Sequence, residues 1–252
     1  MMLFPAGKAP AIAEFLQDWR ATQQPNETIA VALIVPPHLG GQAAIGLTIF
    51  FDGPEDEANR RFAGLIEIGP VANHTGMMPY SNVNSIVAKT EPHGRRKTVK
   101  GGMWAPAFKM DNLQPVIDEF TAMHEAYPEF GGSAIILQHD FTGKIASVPN
   151  DAMAFPNRGP DNLMLIQIVS DDPQLEDVKR EYAHKIMALM HKLSEGRIDD
   201  ERGPVIYCNY AMGTESAREV YRHNYERLSS LKAKYDPNNV FCKFIPIEPK
   251  PQ

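Results

Sequence analysis

The sequence predicts an α+β fold, a mostly antiparallel β-sheet with helices packed on one face. Three observations lead there. β-Rich runs come in pairs joined by short connections of turn-forming residues. Stretches of helical period fall between those pairs instead of following every strand, so a regular βαβ alternation is absent. Neither an internal repeat nor a linker-like composition divides the 252 residues, so 1–252 reads as a single domain.

Along the chain, Ile12, Phe15, Leu16 and Trp19 keep helical spacing, and Pro10 stands where a first turn tolerates proline. Residues 29–35 and 44–51 are two strand-like runs with Pro36-Pro37-His38-Leu39-Gly40-Gly41 between them, an antiparallel pair. Asp52-Gly53-Pro54-Glu55 breaks the second run and opens an acidic-start helix carrying Ala58, Phe62 and Leu65. Residues 69–102 show weak periodicity and read as irregular, the signature of a site-forming region or lid. Asp111 is expected to cap a helix with Val116, Ile117, Phe120 and Met123 on its apolar side. Residues 134–139 resume as strand, and the turn Asp140-Phe141-Thr142-Gly143 is expected to form a hairpin with a strand at 144–148. Residues 163–169 read as a central strand, and Asp171-Asp172-Pro173 opens a helix with a stripe of Leu175, Val178, Tyr182, Ile186, Leu189 and Leu193. A short strand at 205–210 and a last helix from Ala217 to Leu231, stopped by Asp236-Pro237, complete the prediction.

Composition removes many functions. With 43% apolar and 22% charged residues the chain is ordinary for a globular protein. Its formal net charge of −6 argues against nucleic acid as a partner, because phosphate binding needs a concentrated basic face. The basic cluster of Lys89, Arg95, Arg96, Lys97 and Lys100 reads as a solvated, loop-like face. Cys208 and Cys242 form neither a disulfide framework nor a zinc pattern. His184 and His191 lie seven apart on a helix, outside the HExxH spacing, so no metal is expected. No apolar run reaches the ~18 residues of a membrane span, and the first residues lack a signal peptide's charged and apolar regions. The expected location is cytoplasmic. Nucleophile-elbow, P-loop and EF-hand patterns are absent from the sequence.

Three C-terminal strings are more specific: Tyr207-Cys208-Asn209-Tyr210, Tyr221-Arg222-His223-Asn224-Tyr225-Glu226-Arg227-Leu228 and Lys232-Ala233-Lys234-Tyr235-Asp236-Pro237-Asn238-Asn239-Val240-Phe241. With Ala154-Phe155-Pro156-Asn157-Arg158, Phe51-Asp52-Gly53-Pro54 and Gly69-Pro70, they resemble the berberine-bridge-enzyme-like flavin oxidoreductases. In that family such motifs belong to a substrate domain, an antiparallel sheet backed by helices, with the C-terminal return at about 204–247 here. The flavin is held mainly by a separate N-terminal domain, commonly through His or Cys. This chain starts where the substrate domain starts, so the expectation is a chain that holds no FAD.

The resemblance also locates the site. Tyr210 matches a tyrosine used as a base in some members, and Tyr207 and Asn209 keep their motif identities. Asn224 matches an asparagine near the flavin. Ser147 falls on the plant branch's catalytic Glu, Asn157 replaces a common His, and Arg222 replaces a common Gly at a close approach to the flavin. A tyrosine base starts from a pKa near ~10 and needs a cationic or polar neighbour, for which Arg222 and His223 are candidates. Strand alternation would put Tyr207 and Tyr210 on opposite faces unless the strand ends between them. From the residues alone, His74, Met77, Met78 and Tyr80 in the irregular region, and Gln138 and His139 at a strand end, are further site candidates.

The expected function is a cofactor-free enzyme that binds a small apolar metabolite and promotes a non-redox step: cyclisation, isomerisation or a pericyclic reaction of secondary metabolism. Tyr210, His74, His139 and Arg222 are its expected catalytic groups. The sheet face that a flavin domain would roof must then be covered by the 69–102 loop, a second copy in a homodimer or another chain. Two alternatives stand beside it, the substrate-binding half of a split or truncated FAD-dependent oxidoreductase and a non-catalytic small-molecule binding protein.

Overall fold

A computed structural model describes residues 1–36, 41–86, 94–104, 109–138, 143–158, 162–193 and 206–251. Seven strands form one antiparallel sheet: β1 (Met2–Pro5), β2 (Glu27–Ile34), β3 (Ala44–Phe51), β4 (Ala72–Asn73), β5 (Lys97–Trp104), β6 (Ala134–Gln138) and β7 (Asn162–Val169). Their spatial order is β4-β1-β3-β2-β6-β7-β5. The helices are α1 (Ala9–Ala21), α2 (Glu55–Arg61), α3 (Ala63–Ile68), α4 (Met110–Ala126), α5 (Gly143–Ala146), α6 (Glu176–Leu193), α7 (Ala217–Tyr221) and α8 (Tyr225–Tyr235). Antiparallel strands with helices on one side match the predicted class.

The core lies on one face because alternate strand residues are apolar. Ile29, Val31 and Leu33 of β2, Ile45 and Leu47 of β3, Ile135 and Leu137 of β6, and Met164, Ile166 and Ile168 of β7 pack against Ile12, Leu16 and Trp19 of α1, Phe120 and Met123 of α4, and Ile186 and Met190 of α6. Burying each such side chain contributes about 1.5–3 kcal/mol. Trp104 is fully buried there, and its indole N–H donates to the Met190 carbonyl at 3.0 Å. Between sheet and helices lies an apolar cavity of about 30 Å³ lined by Ile12, Leu33, Trp104 and Leu137 among others. That is room for roughly one water, with no polar group to hold it.

Several expectations are corrected. The 69–102 region contains an edge strand, β5, whose Lys97, Lys100 and paired glycines disguised it. The basic cluster is largely paired: Arg95 with Asp171 at 3.0 Å, Arg96 with Glu176 at 3.2 Å and Lys100 with Glu215 at 2.8 Å; Lys89 lies outside the described residues. Residues 143–146 form a helical turn instead of the expected 144–148 strand, and β6 has no edge to offer one, being bonded to β2 and β7 on its two sides. Asp111 sits in the first turn of α4, after Lys109 as the capping residue. The most buried residues of α6 are Lys179, Ala183, Ile186, Met187 and Met190, a stripe offset from the expected one. The 205–210 strand reduces to one bridge between Ile206 and Gly102, followed by a 3-10 turn, Cys208–Tyr210. The last helix breaks at Arg222, whose φ of 48° and ψ of −125° no helix accommodates. Among the described residues, no helix is long and apolar enough to cross a membrane.

Gly101 of β5 is required by close approach. A Cβ there would run into the Met164 carbonyl and lie 2.9 Å from the Tyr210 ring. Gly101→Ala is expected to lower stability by about 1–3 kcal/mol, as overpacking does, measured by chemical denaturation. An unchanged midpoint would show that the strand yields at no cost.

Candidate active site

The outer edge of β5 is gripped from both sides by one segment, 206–215. Ile206 bridges Gly102 at the edge. The chain then turns over the face away from the helices, the Tyr210 N–H donating to the Tyr207 carbonyl at 2.9 Å. Tyr207, Tyr210 and Phe155 pack there on Met103 and Leu163. The Tyr207 and Tyr210 rings meet edge-on with centroids 5.0 Å apart, and Phe155 meets Tyr207 edge-on at 5.8 Å. Asn209 donates from Nδ2 to the Tyr207 hydroxyl oxygen at 2.9 Å. Because the strand ends at Ile206, the two tyrosines share a cluster that continued alternation would have forbidden.

The other half of the grip is electrostatic. Lys100 shares the helix-side face of β5 with Trp104, and its Nζ meets Glu215 at 2.8 Å with side-chain exposures of only 12% and 8%. Glu215 also accepts from the backbone N–H groups of Met212 and Thr214 at 2.9 and 3.1 Å. Burial raises the Glu215 pKa, but the Lys100 hydrogen bond, the backbone donors and the Lys100 charge together hold it below its ordinary value. His191 of α6 feels the same cation. Burial, and secondarily the Lys100 charge, depresses its imidazole from 6.5 to about 4.

Strand register makes the face away from the helices a trough. One row crosses all seven strands: Gly101, Leu165, Ile136, Ala32, Gly46, Leu3 and Ala72. The next row reads Met103, Leu163, Gln138, Ala30 and Thr48. Ala30, Ala32, Ile136, Gln138, Thr48 and Leu165 are half-exposed, so the floor is flat, largely apolar and accessible. Phe50 continues the Thr48 side of β3, and the Tyr80 ring stands edge-on to it at 6.2 Å. From β3 to β5 are four strand spacings, ~19 Å, with aromatic groups at both ends.

The structure thus brings Tyr207, Asn209, Tyr210 and Gln138 to one end of the trough, and Tyr80 to the other. It does not bring His74 there: His74 is exposed after β4, at the opposite edge of the sheet, and shares backbone hydrogen bonds with Met1. Met77 and Met78 are exposed in the same stretch. Ser147 is exposed, its hydroxyl donating to the Lys144 carbonyl at 2.8 Å. Asn224 is buried and donates to the carbonyls of Asn150 at 2.8 Å and Met153 at 2.9 Å, fastening the 150–154 loop. His223 bonds the Asn150 carbonyl at 3.3 Å. Arg222 is 9% exposed in a backbone conformation that favours glycine. His139 lies outside the described residues. Met103, Leu163, Thr48 and Phe50 were missed as site residues, since only the pairing register reveals which face they share. No group of His, Cys, Asp and Glu among the described residues could hold a metal ion.

Residues 206–247 match the family described as Berberine and berberine like. The chain is 31% identical over 215 residues to the FAD-linked oxidoreductase pgmH of Aspergillus terreus, an alignment covering 81% of this chain and 44% of that protein. It is 28% identical over 204 residues to the FAD-linked oxidoreductase iacH of Pestalotiopsis fici, covering 78% and 38%. Its fold matches the structure of berberine bridge enzyme from Eschscholzia californica with a TM-score of 0.73 and 15% identity, over 99% of this chain and 54% of that one. The chain therefore spans under half the length of these two curated relatives.

If Lys100 and Glu215 hold the tyrosine segment on β5, Glu215→Gln should speed amide hydrogen exchange across 206–216 while leaving β2 and β3 unchanged. Equal exchange in both proteins would show that the ion pair holds nothing. A second expectation concerns acid. His191 stays neutral in the fold down to about 4, whereas in the unfolded chain it takes a proton from 6.5 downwards. The unfolded state then binds more protons, so stability is lost as pH falls through that window. The melting temperature should drop less between neutral pH and the lower end of the window in His191→Gln than in the native chain; parallel curves would refute this.

Proposed function

We propose that the chain is part of a berberine-bridge-enzyme-like FAD-linked oxidoreductase, that its trough is the substrate side of the reaction centre, and that Tyr210 is the proton-transfer group. The observation that carries this reading is the flat, half-exposed sheet face closed at one end by Tyr207, Tyr210 and Phe155. Such a floor suits a planar, largely apolar organic molecule, which it would orient by shape and partly desolvate. The described residues fit the substrate side of a flavin centre. The floor rows offer a flat apolar surface and amide or hydroxyl groups, with no charged cradle for a dinucleotide among them. Bound flavin would supply a two-electron acceptor.

The chain's own residues would do the rest. Asn209 fixes the Tyr207 oxygen, Gln138 supplies an amide two strands in from β5, and Tyr210 lies over Gly101, where a substrate proton can be taken or returned. On this reading the cover over the trough is the flavin-holding part of the protein, beside the three covers considered from the sequence: the 69–102 loop, a second copy or another chain.

The second reading is the cofactor-free cyclisation, isomerisation or pericyclic step. It keeps the same trough and the same tyrosine, and rests on Arg222 occupying a glycine conformation. Burial of Arg222 weakens it, because an arginine reaching into an open flavin space would be exposed here.

A neutral naphthyl ketone should bind the full chain and quench its tyrosine fluorescence, and Ala32→Trp, which fills the middle of the trough, should abolish that binding without changing the melting temperature by much. Binding unaffected by Ala32→Trp would overturn the reading. For any molecule the chain converts, the product should be two hydrogens lighter and form only with flavin supplied, and Tyr210→Phe should slow it about 100-fold. A product of unchanged mass formed without flavin would assign the non-redox reading instead.

A further inference from the structure

Several partly or fully buried cations of this chain meet a carboxylate. Arg61 contacts Glu27 at 2.7 Å, Lys100 contacts Glu215 at 2.8 Å and Lys179 contacts Glu176 at 3.0 Å. Arg158 is different. Among the described residues its side chain has no carboxylate partner; one terminal nitrogen donates to the Met153 sulfur at 3.4 Å, and Nε is buried without an acceptor. A sulfur is a weak acceptor, and a guanidinium stays charged at every accessible pH. A half-buried charge with so little compensation is costly unless something else supplies the anion.

Its position says what that anion would belong to. The guanidinium carbon sits 5.7 Å from the centroid of the Phe155 ring. Phe155 is the ring that meets Tyr207 edge-on and packs on Met103 and Leu163 at the tyrosine end of the trough. A planar molecule lying over that end would bring its periphery to the donor fork.

We propose that Arg158 is the anion anchor of this site, and that the molecules it serves are acids: a flat apolar body in the trough with a carboxylate met by the guanidinium. A guanidinium matches a carboxylate with two parallel donors, which adds direction as well as attraction. The inference rests on the trough being the substrate side, and narrows its ligands from small apolar molecules to those carrying an acid group.

Naphthoate and the neutral methyl naphthyl ketone share a ring and nearly a shape. For the full chain, naphthoate should bind about tenfold more tightly than the ketone. Arg158→Met should erase that difference while the ketone binds as before, and Arg158→Lys should keep part of it. Equal affinities in the native chain, or a preference that survives Arg158→Met, would overturn the proposal. Ala32→Trp separates the two levels of inference. If the ketone is lost on that substitution but charge makes no difference, the anchor alone fails. If the ketone ignores the substitution, the trough reading fails and takes the anchor with it.

Discussion

Helices α1, α4 and α6 bury one face of the seven-stranded sheet, and alternation along each strand leaves the other face with whatever the intervening positions carry. In the middle of β2 and β3 those positions are Ala30, Ala32, Gly46 and Thr48, residues too small to build relief, with the larger Ile34 and Phe50 toward the strand ends. The result is a flat floor between two aromatic ends. A single periodicity of two therefore builds the core and the candidate site together. A one-residue slip of register would exchange Val31 for Ala32 and destroy both.

A flat floor needs an end wall, and the wall comes from the edge. β5 has a free side that a 3-10 turn occupies instead of another strand. Ile206 makes one bridge, the tyrosines fold over one face, and Glu215 reaches Lys100 on the other. The ion pair is well buried on both partners, and Glu215 is further satisfied by backbone donors, so breaking one side would leave a buried charge. Gly101 admits the Tyr210 ring, and Asn224 ties the C-terminal helices to the loop that carries Phe155 and Arg158. The phenols are thus held by contacts from β5, the 150–158 segment and the C-terminal turn.

Local contacts hold several expected site residues away from the trough. Asn224 spends its amide on carbonyls of the 150–154 loop, His223 is drawn to Asn150, and His74 lies beyond β4 at the far edge. Tyr207, Tyr210 and Gln138 converge although they come from distant parts of the chain. The tyrosines were legible because their motif is specific, and Gln138 because it ends a strand. Met103, Leu163 and Phe50 had no such signal, since an apolar residue in a strand reads the same on either face until its partners are known.

The sequence by itself determined the layer architecture, most of the strands and helices, and the family resemblance, because alternation, helical period and ordered motifs are local properties of the chain. Only tertiary structure decided that 97–104 is a strand despite its lysines and glycines, that 144–148 is not one despite its apolar residues, and that the last helix breaks at Arg222. Each depends on a partner distant in sequence: β7 accepts the 97–104 strand, β6 has no free edge for a 144–148 strand, and Asn224 just past the break is fastened to the 150–154 loop. Strand pairing and burial are settled by which edges and faces remain available, and no local pattern carries that information.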